Sequence, residues 1–341
     1  MPVDDGFISR GRIMRKTIMR LSGLLLLSTF ALHAQHGPLA AGQSKFLGST
    51  YSAKQAQDFA NYWNKLTPEN AGKWGSVEAV RGQFDWTGLD DAYHFAKSHG
   101  ILFHLHVLVW GRQQPQWMLH LPPDEQRKEI EKWMDAAAAR YPDADFVEVV
   151  NESLHHPPST HYKDGGNYLQ ALGGKGTTGW DWVLTAFRMA RTRFPHAKLL
   201  INDYSIINTP KETARYRSVI ALLQHEHLID GIGVQAHAFE THGVPTATLR
   251  ADLDTLAATG LPIYITEMDI DGRDDAKQLR EYQRVFPLFW DDSAVKGITL
   301  WGFRPGLWRD EQGANLIRKD GSERPALVWL RGYVRAQHST P

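Results

Sequence analysis

Residues 146–152 read FVEVVNE, and residues 262–269 read PIYITEMD. Each is a short run of Val, Ile or aromatic side chains that stops abruptly at an amide or a carboxylate. Such runs have the length and composition of parallel strands buried on both faces. The spacing predicts strands over Phe146–Val150 and Pro262–Thr266, and equivalent runs over Phe46–Ser49, Trp63–Thr67, Ile101–Val109, Lys198–Asn202, Gly231–Gln235 and Gly297–Trp301. Between them lie segments with helical spacing: Asp124–Arg140, Trp180–Phe194, Lys211–His225, Ala247–Ala258 and Ala276–Trp290. Pro122 and Pro123 precede the Asp-Glu start of the first, and Arg140 closes its last turn, as helix termini favour. Eight strand–helix units over about 300 residues predict an α/β chain folded as a single (β/α)8 barrel. An open doubly wound sheet shares the alternation. However, no glycine-rich dinucleotide turn follows any of these strands, and Gly173-Gly174-Lys175-Gly176 precedes a helix without following a strand, so it reads as a loop.

Composition narrows the chemistry. Of 341 residues, 38 are Lys or Arg and 38 Asp or Glu, so the formal charge is zero and a nucleic acid or anionic membrane partner is not expected. With no cysteine, disulfides, thiolate metal sites and cysteine nucleophiles are excluded. There are 12 tryptophans and 16 histidines. Residues 14–41, MRKTIMRLSGLLLLSTFALHAQHGPLAA, set Arg15, Lys16 and Arg20 before the apolar run Leu21–Leu32 and small residues at Ala34, Ala40 and Ala41. This is the layout of a secretory signal peptide, and the run is short for a membrane span. The expected organisation is an amino-terminal extension and export signal over 1–41 and a catalytic barrel over 42–341. Cleavage after either Ala34 or Ala41 fits, and the expected product is an exported monomer, periplasmic or secreted, with no membrane partner once cleaved.

In such a barrel the active site lies at the carboxyl ends of the strands. Those ends carry Thr67-Pro68-Glu69-Asn70 followed by Lys73, His106 with Trp110, Asn151-Glu152, Asn202-Asp203-Tyr204, Gln235-Ala236-His237, Thr266-Glu267-Met268-Asp269, and Trp301 with Trp308 beyond. One or two such ends would mean only that a strand meets water; nearly all of them doing so points to one polar pocket walled by indole. Glu152 and Glu267 fall on roughly opposite sides of the mouth. Paired carboxylates among tryptophan platforms suit glycoside hydrolysis, in which one carboxyl protonates the leaving oxygen and an anion acts beneath the anomeric carbon. Indole faces suit the weakly apolar C–H face of a sugar ring. The competing reading takes both glutamates as solvated loop carboxylates.

The runs TPENAGKW (67–74), HVLVW (106–110), VVNE (149–152), INDYS (201–205), GIGVQAH (231–237), ITEMDI (265–270) and GITLWG (297–302) together resemble glycoside hydrolase family 10, the endo-β-1,4-xylanases. They occur in the family's order between about residues 46 and 334. The resemblance implies Glu152 as general acid/base and Glu267 as nucleophile of a retaining double displacement. It implies Asn151 as the partner of the reacting sugar's 2-hydroxyl, His237 as the group orienting the nucleophile, and Asp269 as the carboxylate holding that histidine. It further implies sugar contacts at Glu69, Asn70, Lys73, His106, Trp110, Gln113, Gln235, Trp301 and Trp308, and a tyrosine near the cleavage point at Tyr204. The implied substrate is xylan or a xylo-oligosaccharide, with no metal or other cofactor. Glu152 is expected to be protonated near neutral pH, its pKa raised by the charge of Glu267. Trp117, Trp133, Trp180, Trp182 and Trp290 are expected to pack in or against the core.

The chain departs from the family pattern at three places. Gly111 stands where a histidine usually follows the third-strand tryptophan, and Arg112 or His104 is the expected substitute. The Trp301–Trp308 run is one residue short and lacks an aspartate. The loop Leu154–Gly166 carries Pro157, Pro158, His155, His156 and His161 where the aglycone would lie. Two other activities compete: the same mechanism on a short decorated oligosaccharide or plant glycoside, and a metal-dependent hydrolase using His104 and His106, two imidazoles on one strand face. A sugar-binding protein without catalysis is a third alternative, disfavoured because both glutamates are present.

Overall fold

The computed structural model describes residues 37–159 and 162–336. Most of the expected export segment therefore lies outside the described residues. Leu39 and Ala40 are buried, and the Leu39 N–H donates to the Tyr62 carbonyl at 2.9 Å, so the packed body includes them.

Eight parallel strands close into a barrel in sequence order: β1 (Phe46–Tyr51), β2 (Lys65–Pro68), β3 (Leu102–Leu105), β4 (Phe146–Asn151), β5 (Lys198–Asp203), β6 (Gly231–Val234), β7 (Ile263–Met268) and β8 (Val295–Leu300). β8 pairs back onto β1, with Phe46 opposite Gly297 and Ser49 opposite Leu300. The predicted (β/α)8 barrel is thus the observed fold. Strand bounds shift from expectation by one or two residues throughout, and most at β2 and β3. Trp63 ends the one-turn helix Phe59–Tyr62, so β2 starts two residues late. β3 stops at Leu105, before the cis His106–Val107 peptide, beyond which Leu108 and Val109 still donate to the Glu148 and Val149 carbonyls of β4 at 3.1 and 3.0 Å.

Helices fill the crossovers. Pro123–Arg140 starts on proline, carries Asp124 and Glu125 in its first turn and Arg140 in its last, and buries Ile130, Trp133, Met134 and Ala137 along one face. Trp133 stacks between Trp74 and Trp86, with centroids 5.9 and 5.8 Å away, and donates its indole N–H to the Leu108 carbonyl at 3.0 Å. Trp182 and Trp290 are likewise buried, and Trp117 and Trp180 pack against the core, as expected for all five. The helices Thr87–Ser98 and Pro325–Ala336 were not anticipated. Among the described residues no helix is long and apolar enough to cross a membrane.

The barrel interior is layered. At the bottom, Phe46, Phe146, Leu200 and Tyr264 form an apolar plug. Above it sits a polar layer. The Lys65 ammonium contacts Thr67 Oγ1, lies 2.9 Å from His104 Nδ1 and donates to Thr299 Oγ1 at 3.0 Å. Gly48 makes room for the lysine stem, since a Cβ there would come within 2.8 Å of the Lys65 Cβ. Burial lowers the Lys65 pKa to about 7 and raises that of its neighbour Glu148 to about 8. This layer is the floor of the site.

Candidate active site

The carboxyl ends of the strands open into a cleft of about 660 Å³. It gathers Glu69, Asn70, Lys73, His106, Trp110, Gln113, Asn151, Glu152, Tyr204, Gln235, His237, Glu267, Trp301 and Trp308, which is every residue expected there except Asp269, which lies behind His237.

Glu267 belongs to β7 and is 5% exposed. Asn202 Nδ2 donates to its Oε1 at 2.8 Å, and His237 Nε2 lies 3.3 Å from its Oε2. On its other side His237 pairs through Nδ1 with Asp269 Oδ2 at 2.8 Å, and Asp269 Oδ1 accepts the Ala238 N–H at 2.7 Å. Burial alone would lower the His237 pKa, but Asp269 and Glu267 together raise it to about 10. An imidazolium therefore stands between two carboxylates at neutral pH. Folded His237 holds a proton that an ordinary histidine releases near 6.5. Its contribution to stability is complete below that pH and is lost as pH rises through 10, with a slope of up to about 1.4 kcal/mol per pH unit. Urea unfolding at pH 6 and pH 9 should show His237→Asn losing less stability than the wild type over that interval; parallel losses would contradict the charged imidazole.

Glu152 follows β4 directly, with a left-handed φ of 54° that a non-glycine residue adopts only where its surroundings enforce it. Its carboxylate receives Trp110 Nε1 at 2.7 Å, Gln235 Nε2 at 3.0 Å and a short contact from His156 Nδ1. Burial by itself would raise its pKa, but the hydrogen bonds from His156, Gln235 and Trp110 hold it below the usual carboxylate range. This reverses the expectation of a carboxyl raised by Glu267: the donors outweigh the effect of burial. The two glutamates are linked through amides. Gln235 donates to Asn151 Oδ1 at 3.2 Å, and Asn202 donates to the same oxygen at 3.2 Å and to Glu267. With Oδ1 doubly occupied, Asn151 presents its NH₂ as a donor, the group that a sugar hydroxyl would require.

On the second-strand side, Lys73 Nζ donates to Asn70 Oδ1 at 2.9 Å and to Gln113 Oε1 at 2.7 Å, and lies 5.1 Å from the Trp110 ring centroid. Burial lowers the Lys73 pKa and raises that of Glu69. His106 Nδ1 lies 3.1 Å from Glu148 Oε1, and its pKa falls, chiefly by burial, to about 4, so it is a neutral imidazole here. Trp301 is buried against His106 and His237, whereas Trp308 is 55% exposed and edge-on to His237.

Several expectations change. His104 does not replace the histidine missing at Gly111, whereas Arg112 does line the cleft. Arg112 Nε pairs with Asp164 Oδ1 at 2.6 Å, and His104 lies in the polar layer against Lys65. The His104–His106 pair that could hold zinc is directed at Glu148, with an ammonium already on His104. Trp110, expected against sugar, is also a donor to Glu152. Asn202, His156, Phe239 and Asp164 are site residues that sequence reasoning gave no role. Asn202 was visible only as one more strand-end amide, and His156 only as part of an atypical loop.

The profile of glycosyl hydrolase family 10 matches residues 31–333. Endo-1,4-beta-xylanase B of Cellvibrio japonicus is 38% identical over 291 residues, which cover 84% of this chain and 45% of that protein; the chain thus spans under half the length of this relative. Endo-1,4-beta-xylanase A of Fusarium oxysporum f. sp. lycopersici is 30% identical over 318 residues, covering 85% of this chain and 94% of the relative. Native xylanase 10B from Thermotoga maritima superposes with a TM-score of 0.76 at 25% identity, covering 88% of this chain and 97% of that one. With the family's motifs on seven strand ends and a barrel that delivers them into one cleft, the chain belongs to glycosyl hydrolase family 10.

Proposed function

We propose that the protein is a retaining endo-1,4-β-xylanase with Glu267 as nucleophile and Glu152 as acid/base. The observation that carries this reading is the unlike setting of two carboxylates in one cleft. Glu267 is fixed by Asn202 and an imidazolium, as an attacking anion must be. Glu152 stands among hydrogen-bond donors where a leaving group would depart. Glu267 forms a bond to the anomeric carbon while the glycosidic oxygen takes the bonding electrons and a proton from Glu152. A glycosyl ester results. Glu152, now a base, deprotonates the water that displaces Glu267, and two inversions give net retention. Asn151 donates toward the 2-hydroxyl, and Lys73, Asn70, Gln113, Glu69, Trp301 and Trp308 serve the glycone side. The names borne by the Cellvibrio and Fusarium relatives support xylan as the substrate class. Export fits the positive and apolar run at 15–32, and a cut before Gly37 would leave Leu39 and Ala40 in the packed body.

Following xylan hydrolysis by proton NMR should show the β-anomer first. Initial release of the α-anomer would eliminate the double displacement. The loop bearing His156 and Asp164 lines the cleft and favours a second reading, a preference for short or decorated chains. Product lengths from xylan, glucuronoxylan, arabinoxylan and short xylo-oligosaccharides distinguish the two: a ladder of products from polymer supports the endo-acting reading, and turnover confined to oligosaccharides the other.

A further inference from the structure

The loop leaving β4 folds straight back over the carboxylate that precedes it. The N–H groups of His155 and His156 donate to the Glu152 carbonyl at 3.2 and 2.7 Å, which brings His156 Nδ1 onto Glu152 Oε2. Two features make this a built contact. Gly111 donates its N–H to the His156 carbonyl at 2.9 Å, and a Cβ at position 111 would lie 2.2 Å from that carbonyl oxygen and 2.3 Å from that of Pro157. Only glycine lets the loop lie this close. The imidazole is then braced edge-on by Tyr162 at 4.7 Å and by the tilted ring of Tyr204 at 5.8 Å, and the Tyr162 hydroxyl donates to the His155 carbonyl at 3.0 Å.

We propose that His156 is a positioning residue that holds the catalytic proton for Glu152, and that Gly111 is the space through which the loop delivers it. The inference rests on the assignment of Glu152 as acid/base. A carboxylate that accepts three donors, His156 among them, has no proton of its own to give. The pair resolves this by storing one proton on the imidazole while the carboxylate waits. In the first step that proton crosses from Nδ1 to the carboxylate and on to the glycosidic oxygen, which leaves with the bonding electrons; His156 ends neutral and Glu152 anionic. In the second step Glu152 takes a proton from water as the water oxygen bonds to the anomeric carbon. The proton returns to His156 and the ester oxygen of Glu267 recovers its electrons. No further reactant is needed.

Other ionisable groups face the pair. Tyr162 and Tyr204 lie against the imidazole, and Arg112, paired with Asp164, stacks on Tyr162 at 4.9 Å. Lys73 and His106 approach from β2 and β3, each feeling the charge of Glu152, and Glu267 stands opposite them. Asp203, bound to His155 Nδ1 at 2.7 Å, and Glu148 lie beneath. None of these donates a hydrogen bond to the Glu152 carboxylate, whereas His156 does.

The test compares His156→Ala, His156→Asn and Gly111→Ala with wild type on aryl xylobiosides bearing a poor and a highly acidic leaving group, across pH. All three variants should lose about 10- to 100-fold in kcat/KM on the poor leaving group and under about threefold on the acidic one. Their alkaline limb should move toward acid by at least about one pH unit, because only the carboxyl is left to hold the proton. Asparagine keeps a donor but cannot carry the proton, so wild-type behaviour of His156→Asn overturns the proposal. Equal losses on both substrates with an unmoved limb also overturn it, and an unmoved limb in Gly111→Ala overturns the part assigned to Gly111. Glu152→Ala, run beside them, separates the two levels. If it cleaves the poor substrate normally, the assignment of Glu152 fails; if it shows the leaving-group split and the His156 variants do not, only the role of His156 fails.

Discussion

Glu267→Ala should lower kcat/KM on xylan by at least about 10⁴-fold, the scale on which enzymes working through a covalent intermediate depend on the nucleophile. The loss follows from what surrounds the side chain. Asn202 and His237 are aimed at two oxygens that the variant lacks, and the imidazolium would keep its charge against Asp269 with nothing to neutralise on its other side. The barrel should survive, because β7 is held by its neighbours on both sides and the side chain contributes no apolar packing. Added azide offers a sharper readout than the loss alone. The truncated side chain leaves room for a small anion beneath the anomeric carbon. Attack by azide, with Glu152 still protonating the departing oxygen, would form the carbon–nitrogen bond in one inversion and release the α-glycosyl azide. Residual activity within about tenfold of wild type, or an azide product of retained configuration, would remove Glu267 from the nucleophile's role.

How far the sequence anticipated this site depends on the physics behind each residue. The barrel was legible because parallel strands buried on both faces must be apolar throughout, and a polar residue can enter such a run only where the strand ends. The same rule concealed Glu148 and Lys65. Each is a charged residue inside a strand, stable there only through partners on other strands, Lys65 with Thr299 and His104, Glu148 with His104 and His106. No local spacing announces such a layer. The helix Thr87–Ser98 was legible by periodicity, since Leu89, Ala92 and Ala96 recur at helical spacing with Tyr93 packed beside them, yet it is absent from the expected elements. The expected rise in the Glu152 pKa failed for a reason related to the one that concealed the layer. It counted one neighbouring charge and could not count three donors, one of them on a loop whose close approach depends on the absent side chain of Gly111.

Glu152→Ala should divide substrates by their leaving group. On xylan, and on aryl xylobiosides with a weakly acidic phenol, kcat/KM should fall by about 10²- to 10⁴-fold, the usual worth of a positioned general acid. With a strongly acidic phenol the oxygen departs as a stable anion and needs no proton, so glycosylation should slow far less. The second step still needs a base to activate water. The glycosyl ester on Glu267 should therefore accumulate, giving a burst of phenol followed by slow turnover and an apparently low KM. Removing the carboxylate also strips Trp110, Gln235 and His156 of their common acceptor, so a general disturbance of the cleft is the competing explanation. The two are separable. Disturbance of the cleft would slow good and poor leaving groups alike and produce no burst. Loss of the acid/base alone leaves Glu267, still held by Asn202 and the imidazolium, able to attack any substrate whose leaving group can depart without protonation.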